Sequence, residues 1–213
     1  MDRDAAAAMI EHQLRRRGIR DDRVLEALLE IPREEFVAPE DRSQAYSDAA
    51  MTIACNQTIT QPYMTALMVE CLELKGSENV LEVGSGSGYH AAVLGRLAAS
   101  VVTIERIPEL AETARANLDR TGLGANITVI SGDGSLGYPL KSPYDAISVA
   151  AGSPSVPPAL LEQLNDPGTL VIPVGDREDQ KLQVIRKESG KITTRVASGC
   201  RFVPLIGQNA WES

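Results

Sequence analysis

Near the start of the chain, apolar residues recur at three- and four-residue spacing, with Val24, Leu25, Leu28, Leu29 and Ile31 on one stripe. Such a stripe predicts a helix with one buried face. Ile31-Pro32 predicts its end, because a residue before proline is pushed out of the helical region. Between 39 and 62 the periodicity disappears and Thr, Asn, Gln and Ser take over, which predicts an ordered loop of the kind that carries function. From Asn79 onward short apolar runs alternate with helical ones. Val80-Leu81-Glu82-Val83, Val101-Val102-Thr103-Ile104, Ile127-Thr128-Val129-Ile130, Ala146-Ile147-Ser148-Val149 and Leu170-Val171-Ile172 predict strands, and stretches 89–98, 108–120 and 157–164 predict helices. The second helix opens on Pro108 and carries Glu109 and Glu112 early, which suits the positive end of a helix dipole. Short strands separated by helices imply parallel strands joined by crossovers, with helices on both faces. The expected fold is therefore a doubly wound, mostly parallel α/β sheet. After Gly175, Leu182-Gln183-Val184-Ile185 and Thr193-Thr194-Arg195-Val196 flank Ser189-Gly190, predicting a C-terminal hairpin with at least one antiparallel strand.

A chain of 213 residues can bury one continuous core. We expect a single domain: N-terminal helices and a loop over 1–78, an α/β core over 79–175 and C-terminal strands over 176–213. The 21 Lys and Arg against 29 Asp and Glu leave a net charge of -8, which opposes long contacts with a phosphate backbone. Cys55, Cys71 and Cys200 lack paired or metal-ligand spacing, and His12 and His90 are the only histidines, so no metal site is expected. Residues 1–8 are charged and alanine-rich, and nowhere do 18 apolar residues run together. The expectation is a cytoplasmic monomer with neither nucleic acid nor membrane as partner. No repeat or low-complexity tract suggests a solenoid or a disordered scaffold.

The strongest chemical signal is Val80-Leu81-Glu82-Val83-Gly84-Ser85-Gly86-Ser87-Gly88-Tyr89, a strand, a glycine loop and a helix start in succession. Glycines allow a ligand to approach the backbone, and the helix start offers unpaired N–H groups. A tight turn alone would use the same residues. Glu105 ends the next predicted strand, 21 residues after Gly84, where an acid accepts hydrogen bonds from ribose hydroxyls in dinucleotide folds. A solvated carboxylate beside Arg106 is the plainer alternative. The nicotinamide fingerprint would need a glycine where Tyr89 stands. Gly132-Asp133-Gly134 follows the third strand; it favours a turn and also offers an acceptor for an adenine amino group.

The Gly-x-Gly-x-Gly pattern of Gly84, Gly86 and Gly88 resembles class I methyltransferases. Gln57-Thr58-Ile59-Thr60-Gln61-Pro62-Tyr63 is similar to the signature of the protein-L-isoaspartate O-methyltransferases. The resemblance continues through Ile31-Pro32-Arg33-Glu34-Glu35-Phe36-Val37, Ala45-Tyr46-Ser47-Asp48, Thr103-Ile104-Glu105-Arg106, Pro143-Tyr144-Asp145-Ala146-Ile147, Leu170-Val171-Ile172-Pro173-Val174-Gly175 and Phe202-Val203-Pro204-Leu205. It covers most of the chain, in order. It implies S-adenosylmethionine as cofactor, held by Glu82, Gly84, Ser85, Gly86, Ser87, Gly88, Glu105, Asp133 and Gly134. It also implies isoaspartyl proteins and peptides as substrates, with Thr60 as the catalytic residue and Thr58, Ile59, Val203, Pro204 and Leu205 against the substrate. Taken without the resemblance, Thr60 reads as a neighbour of the helix cap before Pro62. The chain departs from the family at Ala54-Cys55-Asn56, where Gly-x-Gly is usual. Asn56 tolerates left-handed geometry, whereas Ala54 is harder to accommodate. Two alternatives stay open: a recognition module without turnover, and a methyltransferase acting on RNA or a small molecule.

Overall fold

The helical stripe folds as its spacing predicts. In the computed structural model, which describes residues 2–212 and leaves both ends of the 1–213 span outside, α1 (Arg3–Met9) and α2 (Asp22–Glu30) come first. Asp21 caps α2 by accepting from the Arg23 N–H, and Val24, Leu25 and Leu28 are buried. Ile31, held by the following proline, is already extended (φ -87°, ψ 117°).

Stretch 39–62 contains more order than its polarity implies. β1 (Met51–Thr52) and β2 (Thr58–Ile59) pair antiparallel, and Ala54-Cys55-Asn56 forms the tip between them. Cys55 (φ 56°) and Asn56 (φ 55°) are the left-handed residues, so the strain falls on Cys55 rather than on Ala54. α3 (Pro62–Leu72) follows; eight of its residues are buried, which leaves it with little polar face.

The main sheet comprises β3 (Asn79–Val83), β4 (Ser100–Glu105), β5 (Ile127–Ser131), β6 (Tyr144–Val149), β7 (Leu164–Gly175), β8 (Gln180–Glu188) and β9 (Lys191–Cys200), in the order β5-β4-β3-β6-β7-β8-β9. β5, β4, β3, β6 and β7 are parallel, and β8 runs antiparallel to both its neighbours. α4 (Tyr89–Leu97), α5 (Pro108–Thr121) and α6 (Pro158–Glu162) make the crossovers. α6 is shorter than the 157–164 stretch, because Leu164 already pairs with Tyr144 of β6; β7 is correspondingly longer than its apolar run.

Strand alternation feeds two cores. Leu81, Val102, Ile147 and Leu170 register together on one face, against Leu160 of α6. Val80, Val101 and Ala146 face the helical layer that contains α2, α3 and α4. Full burial of each of these leucine, isoleucine and valine side chains contributes about 1.5–3 kcal/mol. The chain steps outward from β3 to β4 to β5 and then returns to β6 on the other side of β3. The carboxyl ends of β3 and β6 therefore border a crevice at the topological switch point.

Candidate active site

A cleft of about 940 Å³, partly open to solvent, lies beyond those strand ends. Its floor is the glycine loop. Gly84 N–H donates to the Ile104 carbonyl (2.8 Å) and Ala150 N–H to the Val83 carbonyl (2.8 Å), extending the sheet ladder to the cleft edge. Gly86 lines the cleft at φ 52°, and its N–H donates to Glu105 Oε2 (3.0 Å). Glu105 Oε1 accepts from the Ile107 N–H (2.9 Å), so this strand-end carboxylate braces both the glycine loop and the turn into α5. Glu105 is buried yet lines the cleft, and a carboxylate has acceptor capacity beyond these two bonds. Gly88, at φ 89°, precedes α4 and faces α5: a Cβ there would stand 3.2 Å from the Ala114 carbonyl oxygen. Glycine at this position permits helix packing.

Beneath the loop runs a polar row. Thr103, Glu82 and Ser148 are in register across β4, β3 and β6, and all are fully buried. Ser85 Oγ lies 2.5 Å from Thr103 Oγ1, and the Thr103 hydroxyl donates to Glu82 Oε2. Among the described residues Glu82 Oε1 has no hydrogen-bond partner; it sits 3.8 Å from Nδ1 of His90, whose two ring nitrogens also lack hydrogen-bond partners there. Burial pushes the Glu82 carboxyl up to about 8, with the Glu105 charge acting in the same direction against the Thr103 bond. Burial pushes His90 down to about 4, so at neutral pH the imidazole facing the cleft is uncharged.

The opposite wall comes from distant segments. Thr58, Ile59 and Thr60 line one side, and Val203, Pro204 and Leu205 another. The latter segment is held against Gly152, whose N–H donates to the Val203 carbonyl (2.8 Å) and whose carbonyl accepts from the Leu205 N–H (2.8 Å). Thr60 does not cap α3: the cap residue is Gln61, and no side chain caps that helix end. The Thr60 carbonyl accepts from Arg33 Nη2 (2.7 Å). Thr58 and Thr60 also line a second cavity with Arg17, Asp48, Ser198, Gly199 and Arg201, so the two spaces share a wall.

Of the residues read from sequence, Gly84, Ser85, Gly86, Ser87, Glu105, Gly134, Thr58, Ile59, Thr60, Val203, Pro204 and Leu205 meet in this cleft. Glu82, Gly88 and Asp133 do not line it. Glu82 lies under the loop, Gly88 packs on α5, and Asp133 caps a 3-10 turn at Gly134–Leu136 by accepting from the Ser135 N–H (2.9 Å), while its other oxygen takes the Gln208 N–H (2.8 Å). The turn reading of Gly132-Asp133-Gly134 therefore describes its local structure. Sequence reasoning missed Tyr89, His90, Ala150 and Ala151 as lining residues. Tyr89 and His90 directly follow the glycine loop and had a positional signal; Ala150 and Ala151, just past a strand end, had only the rule that ligands sit there.

The cleft offers a carboxylate acceptor at a strand tip, glycine walls and a helix start, and Arg106 is the one arginine among the described residues that line it. With Tyr89 standing where the nicotinamide fingerprint needs its third glycine, these features fit an adenosine cofactor other than a nicotinamide dinucleotide. The fold and the cleft define a methyltransferase of class I. The sequence profile of the protein-L-isoaspartate(D-aspartate) O-methyltransferase family matches residues 4–210. The chain is 49% identical over 210 residues to a protein-L-isoaspartate O-methyltransferase of Methanoregula boonei, covering 99% of this chain and 96% of that one. Among solved structures, a protein-L-isoaspartate O-methyltransferase superposes with a TM-score of 0.83 at 30% identity, over 99% of this chain and 67% of that one. A Plasmodium falciparum structure described as a protein-L-isoaspartate O-methyltransferase in complex with S-adenosyl-L-homocysteine gives 0.82 at 25% identity, over 96% and 97%. This chain belongs to the protein-L-isoaspartate(D-aspartate) O-methyltransferase family.

Proposed function

We infer that this chain transfers a methyl group from S-adenosylmethionine to the free α-carboxylate of L-isoaspartyl residues in damaged proteins, the step that starts their repair. The observation that carries this reading is the meeting of Thr58-Ile59-Thr60 and Val203-Pro204-Leu205 in the same cleft as the glycine loop and Glu105. When bound, S-adenosylmethionine supplies an electrophilic methyl group whose leaving sulfur departs as a neutral thioether. In this reading Glu105 would accept from the ribose hydroxyls, the backbone of Gly84, Ser85, Gly86 and Ser87 would hold the methionine end, and Gly134 would stand beside the adenine. Glu82 and Gly88 act from below by supporting the loop, and Asp133 by shaping the turn.

The acceptor carboxylate resembles a chain terminus, with a pKa of roughly 3.5, so it is ionised at neutral pH and needs no general base. The neutral His90 imidazole is consistent with that economy. The work left to the protein is alignment and exclusion of water, which can contribute on the order of 7 kcal/mol. Thr60 orients the carboxylate, Thr58, Ile59 and Val203-Pro204-Leu205 close around it, and the adjoining cavity receives the flanking chain. The same reading makes the whole span one domain acting as a cytoplasmic monomer, with neither nucleic acid nor membrane as partner, in keeping with the net charge of -8. No described helix is long and apolar enough to cross a membrane.

The test is radiolabelled methyl transfer to an isoaspartyl peptide and to its normal aspartyl twin. Transfer to the first alone is expected. Binding without transfer would mark a recognition module, and equal labelling of both peptides would remove the assigned specificity.

A further inference from the structure

Arg33 is the bulkiest of the fully buried side chains, and no carboxylate among the described residues pairs with it. Its Nε donates to the Ala45 carbonyl (2.7 Å), its Nη2 donates to the Thr60 carbonyl (2.7 Å), and its Cζ stands 4.7 Å from the ring centre of Tyr89. Nη1 has no hydrogen-bond partner among the described residues. The adjacent Glu34 carboxylate is engaged instead by the Tyr46 hydroxyl. A buried guanidinium without a counter-charge is expensive to desolvate, and an apolar side chain would fill the same volume at less cost. What an apolar residue cannot supply is geometry. The planar fork of Arg33 ties together three segments: the loop before β1, the acceptor loop at Thr60, and Tyr89, the first residue of α4, which is among the residues lining the cleft. Holding the Thr60 carbonyl fixes the peptide plane between residues 60 and 61, and with it the backbone from which the Thr60 side chain projects.

We propose that Arg33 is a positioning residue for methyl transfer, holding the acceptor loop in register with the cofactor cleft through the Thr60 carbonyl and the Tyr89 ring. The proposal rests on the isoaspartyl methyl-transfer reading and adds a residue that touches neither reactant. Misplacing an aligned group by about 1 Å costs on the order of 100-fold in rate, so the loss should appear in turnover.

The experiment compares wild type, Arg33→Met, Arg33→Lys and Tyr46→Phe. Folded protein is counted by calorimetric titration with S-adenosylhomocysteine, and kcat and KM for an isoaspartyl peptide are expressed per binding-competent site. Arg33→Met should bind S-adenosylhomocysteine within about 3-fold of wild type while kcat falls roughly 10- to 100-fold. Arg33→Lys, which keeps the charge but not the fork, should recover part of that loss, and it carries the test if the methionine variant does not fold. Tyr46→Phe removes the neighbouring buried bond to Glu34 and spares both Arg33 bonds, so it should lower Tm with kcat within about 2-fold of wild type. The proposal is overturned if the Arg33 variants keep wild-type kcat per site, or if Tyr46→Phe loses as much kcat for the same drop in Tm. An inactive wild type would instead defeat the methyl-transfer reading itself, before any variant is compared.

Discussion

Replacing Glu82 by Gln should remove a pH dependence of folding stability that the buried pair Glu82 and His90 creates. In the unfolded chain these groups titrate at their ordinary values of 4.5 and 6.5; in the fold, burial moves Glu82 up to about 8 and His90 down to about 4. Between pH 4.5 and 6.5 the unfolded pair holds one proton, on histidine, and the native pair also holds one, on Glu82. The two linkage slopes cancel there. Above pH 6.5 the unfolded pair holds none while the native pair keeps its proton until about pH 8. A raised acid pKa contributes stability at low pH that is lost as pH rises, so stability must fall through this window. The slope is 1.36 kcal/mol per pH unit, and across the interval from 6.5 to about 8 it amounts to about 2 kcal/mol. Glu82→Gln keeps the shape and one acceptor for the Thr103 hydroxyl but cannot ionise. Urea unfolding of both proteins at the two ends of the window measures the effect. The stability of the variant relative to wild type should rise by about 2 kcal/mol between them; a difference that stays constant would show that Glu82 is ionised in the fold.

Glu105→Ala should weaken cofactor binding by roughly 10- to 150-fold in calorimetry, since a charge-assisted bond is worth about 1.5–3 kcal/mol and the loop also loses the anchors at Gly86 and Ile107. Unchanged affinity would remove Glu105 from the site. Thr60→Val should lower turnover on isoaspartyl peptide on the order of 10- to 100-fold, with Thr60→Ser retaining much activity and cofactor affinity nearly constant; wild-type turnover in the valine variant would end the role given to the hydroxyl. Cys55→Gly should raise stability by about 1 kcal/mol, because Cys55 is left-handed at φ 56°; a lower urea midpoint would count against that strain. Chelator should leave turnover intact, since an ionised carboxylate and a thioether leaving group need no Lewis acid, and loss of activity restored by one divalent ion would contradict the mechanism.

Short-range signals were sufficient for much of this protein. The stripe from Val24 to Ile31, the apolar runs ending at Val83, Ile104 and Val149, and the hairpin around Ser189-Gly190 follow from side-chain periodicity and turn chemistry within a dozen residues, and each forms as those patterns require. The glycine loop and Glu105 were legible because a strand, three closely spaced glycines and a helix start fall in direct succession, with an acid at the tip of the next strand, and the loop around Thr60 was legible through its resemblance to a family. The tertiary structure decided what depends on which segments lie side by side. Register alone puts Thr103, Glu82 and Ser148 in one buried row, and the packing of α4 above it brings His90 within 3.8 Å of Glu82. Close approach of α5 turns Gly88 into a packing residue, and pairing of Leu164 with Tyr144 shortens α6. Nothing local marks Arg33 as a buried cation, since its environment is made by Ala45, Thr60 and Tyr89, up to 56 positions along the chain. Periodicity and turn propensity are properties of neighbours in sequence, whereas desolvation, register and contact distance are properties of neighbours in space, and those exist only once the sheet has assembled.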